Sequence, residues 1–156
     1  MGLVVDREAF RALRNTLSDT SRIVFTNGCF DLLHLGHLSL LNRSRSLGDV
    51  LVVGLNSDSS VRGLKGPQRP LVPQEERAAV LTALACVDFV IIFDESTPIE
   101  TIKAVRPKIQ VKGGDYDPEK MPETPVVREL GGEVVIVPLL EGHSTTSMLQ
   151  RIESKS

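Results

Sequence analysis

Two histidines three residues apart, His34 and His37, flank Gly36 within the stretch Asn27-Gly28-Cys29-Phe30-Asp31-Leu32-Leu33-His34-Leu35-Gly36-His37. That spacing puts both imidazoles on one face of an opening helix turn. The stretch begins where an apolar, β-branched run ends, a junction at which parallel α/β folds present backbone amides to phosphate. Neither GxGxxG nor GxxxxGK[ST] is present, so dinucleotide and Walker-type binding lose support. Two simpler readings stand beside an anion site. One histidine caps the helix while the other packs in a polar core, or Cys29, His34 and His37 hold zinc with His143 as a fourth ligand, although this spacing matches no common structural zinc pattern.

Further candidates lie at other junctions. Ser144-Thr145-Thr146 precedes a helical segment, where such residues serve as an N-cap and the free amides above them form an anion site. Lys65 and Arg69 fall in a Gly/Pro-rich stretch, Gly63–Pro70, which reads as a loop. Lys112-Gly113-Gly114-Asp115 leaves a strand; its glycines permit close approach, and Asp115 either accepts from hydroxyls or caps a tight turn. Asn56 and Asp58 leave another strand. Arg77 follows two glutamates at a helix start, where an ion pair within the turn is the simpler reading.

These residues need a scaffold. Short runs apolar on both faces, Arg22–Asn27, Val50–Asn56, Val87–Asp94, Lys108–Lys112 and Glu133–Pro138, predict parallel strands covered on each side. Helical segments alternate with them over Asp6–Leu17, Leu35–Leu47, Pro73–Leu84, Pro125–Leu130 and Ser144–Ile152. Leu38, Leu41 and Ser44 form one stripe, and Val80, Leu81 and Leu84 another. Thr97, Pro98 and Glu100 suggest a capped helix start with Thr97 as N-cap. The alternation predicts an α/β fold: one doubly wound domain, about five parallel strands with helices on both faces, and function at the carboxyl ends of the strands. Residues 1–21 read as an N-terminal helical extension and 22–156 as the domain proper.

The 156 residues suit one domain with its own core. With 41% hydrophobic and 24% charged residues the chain is not of disordered composition. Its 18 basic and 20 acidic residues form no strong patch, which argues against nucleic-acid and membrane partners. Charges at Asp6, Arg7, Glu8, Arg11 and Arg14 leave no apolar signal core. No apolar run reaches the ~20 residues a membrane helix needs. Cys29 and Cys86 form no CxxC pair and read as free thiols, with Cys86 facing the core on a helix; the expected compartment is cytoplasmic.

The run Gly28–His37 resembles the HxGH signature of the nucleotidyltransferase superfamily, in the Phe-Asp form of its cytidylyltransferase-like branch. Gly142-His143-Ser144-Thr145-Thr146 resembles that family's GxSTT element. Gly54-Leu55-Asn56-Ser57-Asp58, Leu64-Lys65-Gly66-Pro67 with Arg69-Pro70, and Val111–Tyr116 extend the likeness over most of residues 22–152, in the manner of the D-glycero-D-manno-heptose 1-phosphate adenylyltransferases. The resemblance implies a Rossmann-like fold and transfer of AMP from ATP to heptose 1-phosphate, giving ADP-heptose for bacterial surface glycans. It implies Mg²⁺ carried on the phosphates with no protein ligands, and a homo-oligomer, favouring a dimer. A sugar kinase domain is not expected, so phosphorylation would occur elsewhere.

The same likeness implies a catalytic role for His34, His37 and Lys65, the last as a clamp on the phosphates. Asn27, Gly28, Cys29, Phe30, Gly36, Ser144, Thr145 and Thr146 would bind nucleotide. Asp31, Asn56, Asp58, Arg69, Arg77, Lys112, Gly113, Gly114 and Asp115 would face substrate. Leu139-Leu140 stands where cytidylyltransferases of this branch carry Arg-Thr, which favours adenine. A CTP-dependent enzyme acting on glycerol 3-phosphate or another phosphoalcohol, and a non-catalytic nucleotide sensor, are the alternatives.

Overall fold

Each of the five apolar runs becomes a strand in the computed structural model, which describes residues 1–156. They are β2 (Ile23–Gly28), β3 (Val50–Asn56), β4 (Phe89–Phe93), β5 (Ile109–Gly113) and β6 (Glu133–Val137). A sixth, β1 (Leu3–Val4), lies in the segment expected to be purely helical and pairs with β4 at the sheet edge. Two residues are too few to show a period, so composition could not reveal it. All neighbours are parallel, in the order β1-β4-β3-β2-β5-β6.

Alternation along the strands divides the core between the two faces of the sheet. On one face Val24, Leu51, Val53, Leu55, Val90 and Val111 meet Leu41 of α2 (Leu35–Arg45) and Ala78 and Leu81 of α4 (Gln74–Thr82). On the other, Phe25, Val52 and Ile91 meet Phe10 of α1 (Arg7–Arg14), Ile102 and Val105 of α5 (Ile99–Val105) and Val127 of α6 (Thr124–Glu129). With helices on both sides, the inner strands are buried, which is why polar positions do not alternate along them, whereas the edge strand β1 is exposed and β6 only partly buried.

Some local expectations are corrected. A helix, α3 (Asp58–Lys65), occupies a segment taken as strand end and loop; Ser57 caps it by accepting from the Ser60 amide. Lys65 is therefore the last residue of a helix rather than a loop residue, and Gly66, at φ 99°, stops the helix in a conformation costly for side chains with a Cβ. The α5 helix begins after Pro98, not Thr97, and no side chain caps it. Val80 is exposed, and Cys86 follows the end of α4 while still packing on the core. The last helix, α7 (Thr145–Glu153), starts as expected: Ser144 accepts from the Ser147 amide and Ser147 Oγ accepts from the Ser144 amide.

The strand order reverses between β2 and β5. The chain leaving β2 enters α2 on one face, whereas the chain leaving β5 leads to α6 on the other. Their divergence opens a crevice beyond Gly28 and Gly113.

Candidate active site

His34 stands at the N-cap of α2 and His37 one turn in, and the three-residue spacing stacks their rings with centroids 3.8 Å apart and planes at 24°. Phe30 holds the other side of His37, centroid to centroid 5.1 Å. Phe30 is itself buried at φ 44°, a conformation that costs a bulky residue about 1–3 kcal/mol and survives only where packing enforces it. Gly36 is required by close approach: a Cβ there would lie 2.8 Å from the His143 carbonyl oxygen and 2.9 Å from the His34 ring. Thus the segment before α7 rests on the first turn of α2, joining two motifs more than a hundred residues apart in sequence. The amides of Thr145 and Thr146, at the first positions of α7, have no intrahelical acceptor.

The two imidazoles are kept neutral. Burial is the main cause for His37, reinforced by His34 and Lys65 nearby, and these together lower its pKa to about 4 although the Leu32 backbone pulls the other way. His34 is lowered too, by burial and then by His143. Nδ1 of each ring is buried without a hydrogen-bond partner. Buried polar atoms are rarely left so. The ring pair stands at the start of α2, with His37 on the lining of the adjoining crevice.

That crevice is a cavity of about 590 Å³. Of the expected residues it brings together Asn27, Gly28, Cys29, Phe30, His37, Asn56, Lys65, Lys112 and Gly113. Three lysines and one carboxylate line it, Lys65, Lys112 and Lys120 against Glu123, with Lys112 paired to Glu123 and Lys120 to Asp117 outside the lining, in a chain whose overall charge is −2. The local excess suits a polyanion. Gln110, fully buried, donates to Asn27 Oδ1 and so leaves the Asn27 NH₂ as the free donor. Leu40 and Leu139 form an apolar wall.

Other expected residues serve behind the cavity. The Asp31 carboxylate, buried three residues before His34, accepts from Arg69 Nε and from the amides of Leu71 and Val72. These bonds hold its pKa below the usual carboxylate range against the opposing effect of burial, which is the largest single influence. Arg77 is only 2% exposed and donates to the Val72, Cys29 and Asn56 carbonyls and to Asp58 Oδ1. Its ion-pair partner is Asp58 at 2.7 Å, not the glutamates of its own helix. Arg77 thereby ties the ends of β2 and β3 to the α3–α4 connection. Asn56 is held by its donation to Ser60 Oγ.

His34, Gly36, Ser144, Thr145 and Thr146 are not part of the cavity lining, although Gly36 lies against the His143 carbonyl just before α7; Gly114 and the exposed Asp115 also lie beyond the lining. Sequence reasoning missed Leu64, Ser96, Thr97, Pro98, Tyr116, Lys120, Met121, Pro122 and Glu123, all of which line it. Only the chain's return across the switch point identifies them. No three His, Cys, Asp or Glu side chains come together, so Cys29, His34, His37 and His143 do not assemble a zinc site. With Glu123 paired to Lys112, a divalent ion fits here when carried by phosphate oxygens.

Residues 25–151 match the model of the family described as cytidylyltransferase-like. The chain is 55% identical over 130 residues to the bifunctional protein HldE of Syntrophotalea carbinolica, covering 83% of this chain and 26% of that protein. It is 57% identical over 130 residues to the bifunctional protein HldE of Koribacter versatilis, covering 83% and 27%. The chain thus spans about a quarter of the length of these curated relatives. Among solved structures, the lipopolysaccharide core biosynthesis protein from Thermoplasma volcanium superposes with a TM-score of 0.63 at 33% identity, over 77% of this chain and 97% of that one. The pantoate-beta-alanine ligase from Francisella tularensis shares the fold, with a TM-score of 0.60 at 14% identity over 98% of this chain and 77% of that one.

Proposed function

The chain belongs to the cytidylyltransferase-like family and is a nucleotidyltransferase, and on that premise we propose that it transfers AMP from ATP to D-glycero-D-manno-heptose 1-phosphate, giving ADP-heptose and pyrophosphate. The observation that carries this reading is the stacked imidazole pair of His34 and His37 beside a switch-point crevice lined by His37 and three lysines. The sugar 1-phosphate oxygen attacks the α-phosphorus of ATP, the bond to the β-phosphate oxygen breaks, and pyrophosphate leaves with the electron pair. An ionised phosphate needs no general base. Catalysis therefore consists of positioning and of stabilising charge on the α-phosphate and the leaving group.

His34 and His37 donate to the triphosphate as neutral imidazoles, each through one ring N–H. The free amides of Thr145 and Thr146 receive the terminal phosphates. Lys65, exposed at the end of α3 and followed by a glycine hinge, closes on the departing pyrophosphate. When carried in on the phosphates, Mg²⁺ would supply further charge neutralisation, with no protein ligand of its own. Asp31 and Arg77 act from behind, fixing the backbone of the HxGH turn and of the α3–α4 connection. Leu139 and Leu40 offer an apolar wall to the base, which favours adenine over a hydrogen-bonded cytosine. No helix is long and apolar enough to cross a membrane. The proposal includes a homodimer that supplies surface-glycan assembly from the cytoplasm.

The test is pyrophosphate release with Mg²⁺, pairing ATP or CTP with heptose 1-phosphate or glycerol 3-phosphate. Release with ATP and heptose 1-phosphate alone is the expected result. Release only with CTP and glycerol 3-phosphate would move the enzyme to phosphoalcohols. ATP binding without turnover in any pairing would make it a sensor.

A further inference from the structure

Glu123 is the one carboxylate in a cavity otherwise suited to anions. Only 4% of the residue is exposed, and it occupies the N-cap of α6 yet makes no side-chain cap hydrogen bond. Its charged partner, Lys112 Nζ, stands 3.8 Å away, beyond hydrogen-bond reach, and Lys112 is itself placed over the Tyr116 ring at 5.1 Å from the centroid. A nearly buried carboxylate without close donors is costly. In a triphosphate site it also repels the ligand.

Both costs are removed by a ligand that brings hydroxyl donors. We infer that Glu123 is a specificity-determining residue for the acceptor: its two oxygens receive hydroxyls of a polyhydroxylated sugar phosphate, while Lys112 beside it balances the charge. A carboxylate only accepts, so it selects donors and rejects further phosphate at that position. Ser96, Thr97 and Pro98 form part of the same cavity's lining, at the start of α5. Rejecting an acceptor that lacks the hydroxyls follows from the unpaired carboxylate such a ligand would leave behind. This inference rests on the sugar-phosphate reading above and specifies the residue that distinguishes a sugar phosphate from a short phosphoalcohol.

The experiment compares the wild-type protein with Glu123→Gln and Glu123→Asp by pyrophosphate release, varying heptose 1-phosphate at saturating ATP and then the reverse. In both variants KM for heptose 1-phosphate should rise ~10-fold or more, KM for ATP should stay within ~2-fold, and preference over glycerol 3-phosphate should fall ~10-fold. Glu123→Asp keeps the charge, so it serves if the amide variant fails to fold as judged by far-UV circular dichroism. An unchanged KM for the sugar phosphate, or equal rises for both substrates, overturns the assignment while the wild-type activity stands. Absence of wild-type turnover with any sugar 1-phosphate overturns the adenylyltransferase reading, and the assignment with it.

Discussion

The depressed pKa of His37 makes a prediction about stability that is independent of substrate. In the folded chain the group titrates at about 4, against 6.5 for an ordinary histidine. Between those values the unfolded chain binds more protons, so folding stability must rise with pH across the window. The contribution is fully present above pH 6.5 and is lost as pH falls toward 4. A shift of this size corresponds to ~3 kcal/mol in total, with ~2 kcal/mol already lost at pH 5 relative to pH 8. Every other titrating group adds its own slope, so the measurement is a difference between the wild type and His37→Asn. The protein has no tryptophan, so urea unfolding is followed by far-UV circular dichroism at pH 5, 6, 7 and 8. The wild type should lose ~2 kcal/mol more than His37→Asn between pH 8 and pH 5. Parallel curves for the two proteins would refute the claim that burial keeps the ring neutral. Near pH 7 the unfolded ring carries little extra proton, so substitution there should affect chemistry chiefly: His37→Ala should lose ~10²-fold or more in turnover, because a contact to phosphate in the transition state is gone.

Replacing Arg77 by Met strands three backbone carbonyls and the Asp58 carboxylate; a loss of ~3–5 kcal/mol, or roughly 10 °C in Tm, is expected, and a shift of about a degree would show that the hub is dispensable. Gly36→Ala drives a methyl group against the His143 carbonyl and the His34 ring, so kcat/KM should fall ~10-fold or more by misplacing the phosphate donors, a result that full activity would contradict. Lys65→Ala should raise KM for ATP ~10-fold while Tm stays within ~1 °C, since the residue is exposed at a helix end; a large drop in Tm would make it structural.

The centre of the sheet was legible because its inner strands are buried on both faces, so that Val50–Asn56 stands out as an unbroken apolar run between turn signals. The helix Asp58–Lys65 was not, because Ser59, Ser60 and Gly63 weaken its propensity and only two of its residues, Ser60 and Val61, are buried. The shared face of His34 and His37 and the cap at Ser144 are local consequences of spacing and could be read from the chain; the stacking of the two rings is seen only in the structure.

Nothing local distinguishes Arg77 from a surface arginine of an amphipathic helix, or Glu123 from a solvated glutamate in a proline-rich turn. Their roles depend on which strand ends lie side by side. Parallel order with a reversal between β2 and β5 brings segments from residues 27 to 139 to one crevice. Arg77 is enclosed there because the ends of two strands offer carbonyls that need a donor, and Glu123 because the chain leaving β5 folds back over the gap. The sequence by itself determined the strand pattern, the cap at Ser144 and the close spacing of the two imidazoles, all set within a few residues by steric and hydrogen-bond rules, while the cap expected at Thr97 did not form. Tertiary structure alone decided which charges face the cavity and which are consumed in building it, since burial and pairing are properties of the neighbours in space.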